Sequence, residues 1–185
     1  MNASPTEIWT IGHSTRSIGE FLGLLRENSI NALVDVRRFA GSRRHPQFSQ
    51  VQFSSSLAEA GIKYFHLPEL GGRRAPLPDS PNTAWRNAAF RGYADYMMTD
   101  EFRGGMERLQ EIAGKSRTAI MCAEALWWQC HRSLIADDLK ARGWTVWNIL
   151  GAGKVELHPF TSAARLVNEK LSYRAAEREE ELPLG

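Results

Sequence analysis

Apolar and polar positions along this chain follow two periods in alternation. Short apolar runs at Glu7–Ile11, Ala32–Val36, Lys63–His66, Thr118–Met121 and Thr145–Leu150 predict five β-strands, and Lys154–Leu157, beyond the turn Gly151-Ala-Gly153, predicts a short sixth. Between them the apolar residues fall at helical spacing. Ser17–Glu27 predicts a helix with Ile18, Phe21, Leu22 and Leu25 on its apolar face and a capping box formed by Ser17 and Glu20. Helices are also expected over Ser49–Ala60, stopped by Gly61, and over Tyr93–Met98, Glu101–Ala113 and Ser133–Ala141. A last helix is expected over Thr161–Tyr173, with Thr161 as its N-cap after His158-Pro159-Phe160. The connection after Lys63–His66 is long and rich in Pro and Gly.

Strands alternating with helices predict an α/β fold. The expected form is a mostly parallel sheet of about five or six strands flanked by helices. The length of 185 residues fits one domain, placed at 1–173, with an acidic, frayed tail at 174–185. That tail carries four glutamates against two arginines, a net of −2, which leaves +4 for the rest of a chain whose total is +2. Two cysteines and no basic segment leading into an apolar core at the start predict a reducing, cytoplasmic setting. No window approaches the roughly 18 apolar residues of a membrane span.

Ligands of parallel sheets sit beyond the carboxyl ends of the strands, so the residues at those ends are the candidates. They are Gly12-His13-Ser14, Asp35-Val36-Arg37, His66 with Gly71-Gly-Arg73-Arg74, Cys122-Ala-Glu124 and Asn148. The run from Asp35 to Pro46, DVRRFAGSRRHP, has four arginines within eight residues, with Ser42, His45 and Gly41 among them. Guanidinium forks and loop N–H groups of this kind suit a phosphate, and Phe39 and Phe48 offer rings for stacking on a base. The alternative is a solvated loop whose arginines pair with local acids such as Asp35.

Both cysteines lie in one strand-to-helix connection, MCAEALWWQCHRS, Met121 to Ser133. Three readings fit them. Cys122 and Cys130 pack in the core. One of them is a nucleophile or redox thiol, Cys130 being placed where a helix begins beside His131 and Arg132. Or the pair binds a metal with His131. No metal ligand set is assigned, because the spacing fits no common zinc motif and the neighbouring side chains of Cys130 and His131 would have to converge. Arg132 at a helix start is unfavourable for the dipole unless it meets an anion, either a ligand or Glu124. Glu124 is a general acid–base candidate or a salt-bridge partner of Arg132, and His13 is a second acid–base candidate. Of the adjacent Trp127 and Trp128, one is expected to face solvent.

These motifs resemble the bacterial domain-of-unknown-function family 488. The resemblance rests on Thr10-Ile-Gly-His-Ser14, Asp35-Val-Arg37 with Ser42-Arg43 and Pro46-x-Phe48, Leu70-Gly-Gly72, Cys122-Ala-Glu124 and Cys130-His-Arg132, with His158-Pro159-x-Thr161 as a weaker match. It implies a single α/β domain and no stated reaction. The run Ala125–Gln129 between the two cysteine motifs is more apolar than the connection expected in that family.

The functional expectation is an anion-binding site at the carboxyl rim. Asp35, Arg37, Ser42, Arg43 and Arg132 hold a phosphate, and Glu124 with His13 or His131 supplies acid–base chemistry. Cys122 or Cys130 is the lesser nucleophile candidate. A small phosphorylated ligand or a nucleic acid is the expected partner, and a non-catalytic nucleic-acid-binding module is the rival. A thiol-redox or metal-binding protein comes third. The sequence names no cofactor. GxGxxG and GxxxxGK[ST] patterns are absent, which argues against dinucleotide and P-loop binding.

Overall fold

A computed structural model of the chain describes residues 6–176. In chain order its elements are β1 (Glu7–Gly12), α1 (Ile18–Glu27), β2 (Ala32–Asp35), α2 (Gln50–Glu59), β3 (Lys63–His66), α3 (Ala88–Tyr96), α4 (Asp100–Lys115) and β4 (Thr118–Cys122). They continue with α5 (Arg132–Ala141), β5 (Thr145–Gly151), β6 (Lys154–Leu157), β7 (Arg165–Val167) and β8 (Lys170–Ser172). Six strands form one sheet in the order β3-β2-β4-β1-β5-β6. All its pairings are parallel except β5 with β6.

Helices flank both faces, because successive strand residues point to opposite sides. Trp9, Ile11, Leu33, Ala119 and Met121 pack with Phe21 and Leu25 of α1 and Phe53 and Leu57 of α2. Ile8, Val34, Ile120 and Cys122 point the other way, onto Tyr93, Phe102, Met106, Leu134 and Leu139 of α3, α4 and α5. Each fully buried Leu or Phe contributes about 1.5–3 kcal/mol by leaving water. β1, β2 and β4 are covered on both faces, which is why they read as nearly continuous apolar runs. Among the described residues no helix is long and apolar enough to cross a membrane.

The expected capping box of α1 is present. Ser17 accepts from the Glu20 N–H at 3.2 Å, and the Ser17 N–H donates to Glu20 Oε2 at 2.7 Å. α3 begins earlier than its apolar pattern suggests, because the Asn87 side chain accepts from the Ala89 and Phe90 N–H groups and caps it.

The expected helix over Thr161–Tyr173 does not form. A turn and the hairpin β7–β8 occupy the segment, with Leu166 opposite Leu171 and Val167 opposite Lys170. Asn168 and Glu169 both take positive φ, 50° and 62°, the backbone of a tight two-residue hairpin turn that Asn tolerates well. Thr161 is no helix cap. Its N–H and hydroxyl both donate to the buried Asp137 carboxylate, and the Tyr173 hydroxyl donates to the same group at 2.9 Å. Anchoring at both ends on α5 overrides the weak helical period between them. Residues 174–176 have no regular secondary structure, and the rest of the acidic tail, 177–185, lies outside the described residues.

Candidate functional site

The strand order brings the ends of β1, β4 and β2 side by side at the centre of the carboxyl rim. Gly12 pairs with Cys122, and Asp35 pairs with Met121 and His66. Two groups of side chains meet there.

The first group is built on Asp35. Its carboxylate is fully buried and accepts from the Arg37 N–H at 3.0 Å, Arg37 Nε at 2.9 Å, Arg37 Nη2 at 2.7 Å and the Tyr64 hydroxyl at 2.7 Å. Arg37 also donates to the Phe48 carbonyl at 2.9 Å. Burial alone works against the Arg37 charge, but bonding to Asp35 raises its pKa above the ordinary value. His13 lies against this pair, with Nε2 at 3.5 Å from Arg37 and Nδ1 at 2.9 Å from the Ser14 carbonyl. Its ring stacks on Phe48 at 4.3 Å. Burial, with the Arg37 charge adding to it, lowers its pKa to about 4 although the Ser14 bond opposes the shift, so His13 is neutral near pH 7.

The second group is the thiol pair. His131 Nδ1 is 3.9 Å from Cys122 Sγ and 3.6 Å from Cys130 Sγ, and all three atoms lie within 4.8 Å of one another. The neighbours Cys130 and His131 therefore do converge, against the sequence expectation. The reason is local: Cys130 is extended (φ −129°, ψ 143°) whereas His131 has turned to helical angles (φ −55°, ψ −20°), so the backbone bends between them. His131 Nε2 is 3.0 Å from the Val36 carbonyl, which can only accept, so Nε2 carries the proton and Nδ1 presents its lone pair to the sulfurs. Both cysteines are free and buried. The hydrogen bond with Cys130 and burial push the Cys122 thiol far up. Burial raises Cys130 too, but the bond with Cys122 and the Arg132 charge outweigh it and bring Cys130 down to about 7.

The remaining candidates divide. Arg132 is 1 % exposed, and its Nη1 and Nη2 donate to the Glu124 and Ala125 carbonyls. Its guanidinium thus holds the cysteine loop rather than facing outward, and the same is true of Arg37 on Asp35. No Glu124–Arg132 ion pair forms among the described residues, and the Glu124 carboxylate makes no hydrogen bond with them. Ser42 accepts from the His45 N–H at 3.0 Å and shapes its loop, on which Arg43 and Arg44 are exposed. Trp127 is buried and donates to Glu156 at 2.6 Å, while Trp128 is 47 % exposed, as expected of one of the two.

Sequence reasoning missed Tyr64 as an Asp35 partner and Tyr93 as the ring beside His131, 5.0 Å between centroids. It also missed why two glycines stand at the rim. A Cβ on Gly12 would lie 1.8 Å from the Glu124 carbonyl oxygen, and one on Gly72 would lie 2.8 Å from His131 Nδ1. Gly12→Ala must part β1 from the cysteine loop and is expected to lower stability by about 1–3 kcal/mol in urea titration. A cost under about half a kilocalorie would mean that the loop yields freely.

Fold and rim define a doubly wound α/β domain whose carboxyl edge carries a thiol–imidazole cluster beside an arginine-rich loop. The chain belongs to the family described as Domain of unknown function DUF488, whose profile matches residues 17–139, from α1 to α5, and so includes the Asp35-Val-Arg37, Cys122-Ala-Glu124 and Cys130-His-Arg132 motifs. No curated protein and no solved structure gave a match.

Proposed function

We propose that the protein binds the phosphate backbone of a single-stranded nucleic acid across the loops at its carboxyl rim. The observation that carries this reading is a set of exposed arginines on two joined loops whose own sequences lack acidic residues. Residues 36–58 and 71–78 contain no Asp or Glu, and Arg38 Nη1 donates to the Arg73 carbonyl at 3.0 Å, tying the loops together. Arg37 and Arg74 are occupied internally. Arg74 lies over the Tyr96 ring at 3.6 Å and donates to the Gly71 carbonyl. Arg38, Arg43, Arg44 and Arg73 remain exposed. Phe39 stands among them 64 % exposed, with the Arg38 guanidinium 5.6 Å from its ring.

Four exposed guanidinium groups on two joined loops, with an exposed ring among them, suit a polyanion that offers several phosphates and bases for stacking. The acid–base role once open to His13 fits poorly, since that ring is enclosed and neutral. The reading therefore includes binding and no catalytic step.

Fluorescence anisotropy with labelled mixed-sequence oligonucleotides at several salt concentrations tests it. Affinity should fall steeply with salt, and Arg43→Ala with Arg44→Ala should lower the log–log slope by about two. Phe39→Ser should weaken binding by about 1–3 kcal/mol with the slope unchanged. Binding unaffected by these substitutions, or abolished by millimolar inorganic phosphate, would overturn the reading, the second result pointing to a small-phosphate site.

A further inference from the structure

We infer that Cys122, Cys130 and His131 form a three-ligand binding site for a divalent ion of the zinc class. The inference is independent of the polyanion reading, since it uses none of the exposed arginines.

The geometry comes first. A tetrahedral zinc ion with sulfur at about 2.3 Å and nitrogen at about 2.0–2.1 Å separates a sulfur from a nitrogen ligand by about 3.6 Å. The two sulfur–nitrogen distances here are 3.6 and 3.9 Å. The third separation, between the sulfurs, is no more than 4.8 Å. A tetrahedral ion sets two sulfurs about 3.8 Å apart, so one ion reaches all three atoms with side-chain adjustments of at most about an ångström.

Orientation comes second. Metal-bound imidazoles commonly donate their other ring N–H to a carbonyl, which fixes the tautomer and ring plane. His131 Nε2 does this to the Val36 carbonyl at 3.0 Å. The lone pair on Nδ1 thus points at the sulfurs before any ion arrives. Tyr93 beside the ring and the bare backbone of Gly72 against Nδ1 leave His131 little freedom to turn away.

Charge and softness come third. Two ionised thiols buried together would repel strongly, whereas two thiolates with one divalent cation sum to zero. Two sulfurs and an imidazole nitrogen favour zinc over magnesium or calcium, which prefer oxygen. Three protein ligands leave the fourth tetrahedral position to water, the arrangement of reactive rather than closed structural sites. Cys122 ends β4 on the carboxyl rim and His131 is partly exposed, so solvent has a route to that position.

The test uses the full chain expressed with added zinc and purified under reducing conditions without chelator. One zinc per chain by elemental analysis is expected. Cobalt exchange should give the intense visible bands of a tetrahedral ion and a thiolate-to-cobalt charge-transfer band. Cys130→Ser and His131→Ala should each weaken zinc binding at least about tenfold while the far-ultraviolet circular dichroism stays unchanged. Should Cys130→Ser fail to fold, Cys122→Ser at the strand end supplies the same comparison. A folded wild type that holds no zinc after loading and desalting overturns the site. So does undiminished zinc in both serine variants, or recovery of Cys122 and Cys130 as a disulfide under these conditions.

Discussion

Asp35→Ala is expected to destabilise the protein by about 3–5 kcal/mol, the cost of removing one partner from a buried ion pair. The native group is 0 % exposed and accepts from Arg37 and Tyr64, while Arg37 is itself 6 % exposed. Deleting the carboxylate strands a guanidinium in the interior and takes the acceptor from the half-buried Tyr64 hydroxyl. Arg37 then keeps the Phe48 carbonyl, already bonded to its Nη2, and His13 Nε2 at 3.5 Å. Asp35→Asn should cost less, because the amide keeps the volume and one acceptor oxygen. Urea titration followed by tryptophan fluorescence measures both variants. A loss below about 1 kcal/mol for the alanine variant would show that water enters and solvates Arg37. The same variant should also disturb the thiol cluster, since Val36, whose carbonyl holds His131, lies between Asp35 and Arg37 in sequence.

The second large effect lies at the other end of the chain. Asp137 on α5 accepts from His158 at 3.2 Å, from the Thr161 N–H at 3.0 Å, from the Thr161 hydroxyl and from the Tyr173 hydroxyl at 2.9 Å. The relay continues inward. His158 Nδ1 is 3.1 Å from Asn148 Nδ2, and Asn148 accepts from the Thr10 hydroxyl of β1 at 2.7 Å. All these groups are buried. Asp137→Ala orphans up to four donors, and a loss of about 3 kcal/mol or more is expected, each bond to a charged acceptor being worth about 1.5–3 kcal/mol. Hydrogen exchange should show where the loss falls. Amides of the hairpin β7–β8 and of Thr161 are expected to lose protection, while those of β2 and α1 keep theirs. Uniform loss across the chain would mean that the C-terminal hairpin is not separately anchored.

Much of the fold was legible because local signals agreed with tertiary packing. The Ser17–Glu20 box, the apolar runs of β1, β2 and β4, and the helical stripes of α1, α4 and α5 each have one dominant reading. The segment Thr161–Tyr173 was misread because its conformation depends on Asp137, distant in sequence and silent in any local window. The candidate site was legible as a set of strand ends and not as a set of partners. Asp35 and Arg37, two residues apart, satisfy each other, which is the alternative the sequence left open beside anion binding, and the pair is buried rather than solvated. Arg132 fits an anion-binding helix start in sequence, yet the preceding loop turns its own carbonyls onto the guanidinium. In sequence, Cys130 and His131 are discounted as joint ligands because the spacing fits no common zinc motif and neighbouring side chains would have to converge; the bend between them removes the second objection.

The sheet order also fixes when the molecule can become whole. β4 sits between β1 and β2, and among the described residues β1 pairs with β4 and β5. As the chain leaves the ribosome, β2 and β3 can meet early, but β1 waits for more than a hundred further residues before either neighbour exists. The strand that joins β1 to the β2–β3 pair is the one ending at Cys122, so the centre of the rim is assembled by the same insertion that links the two halves of the sheet.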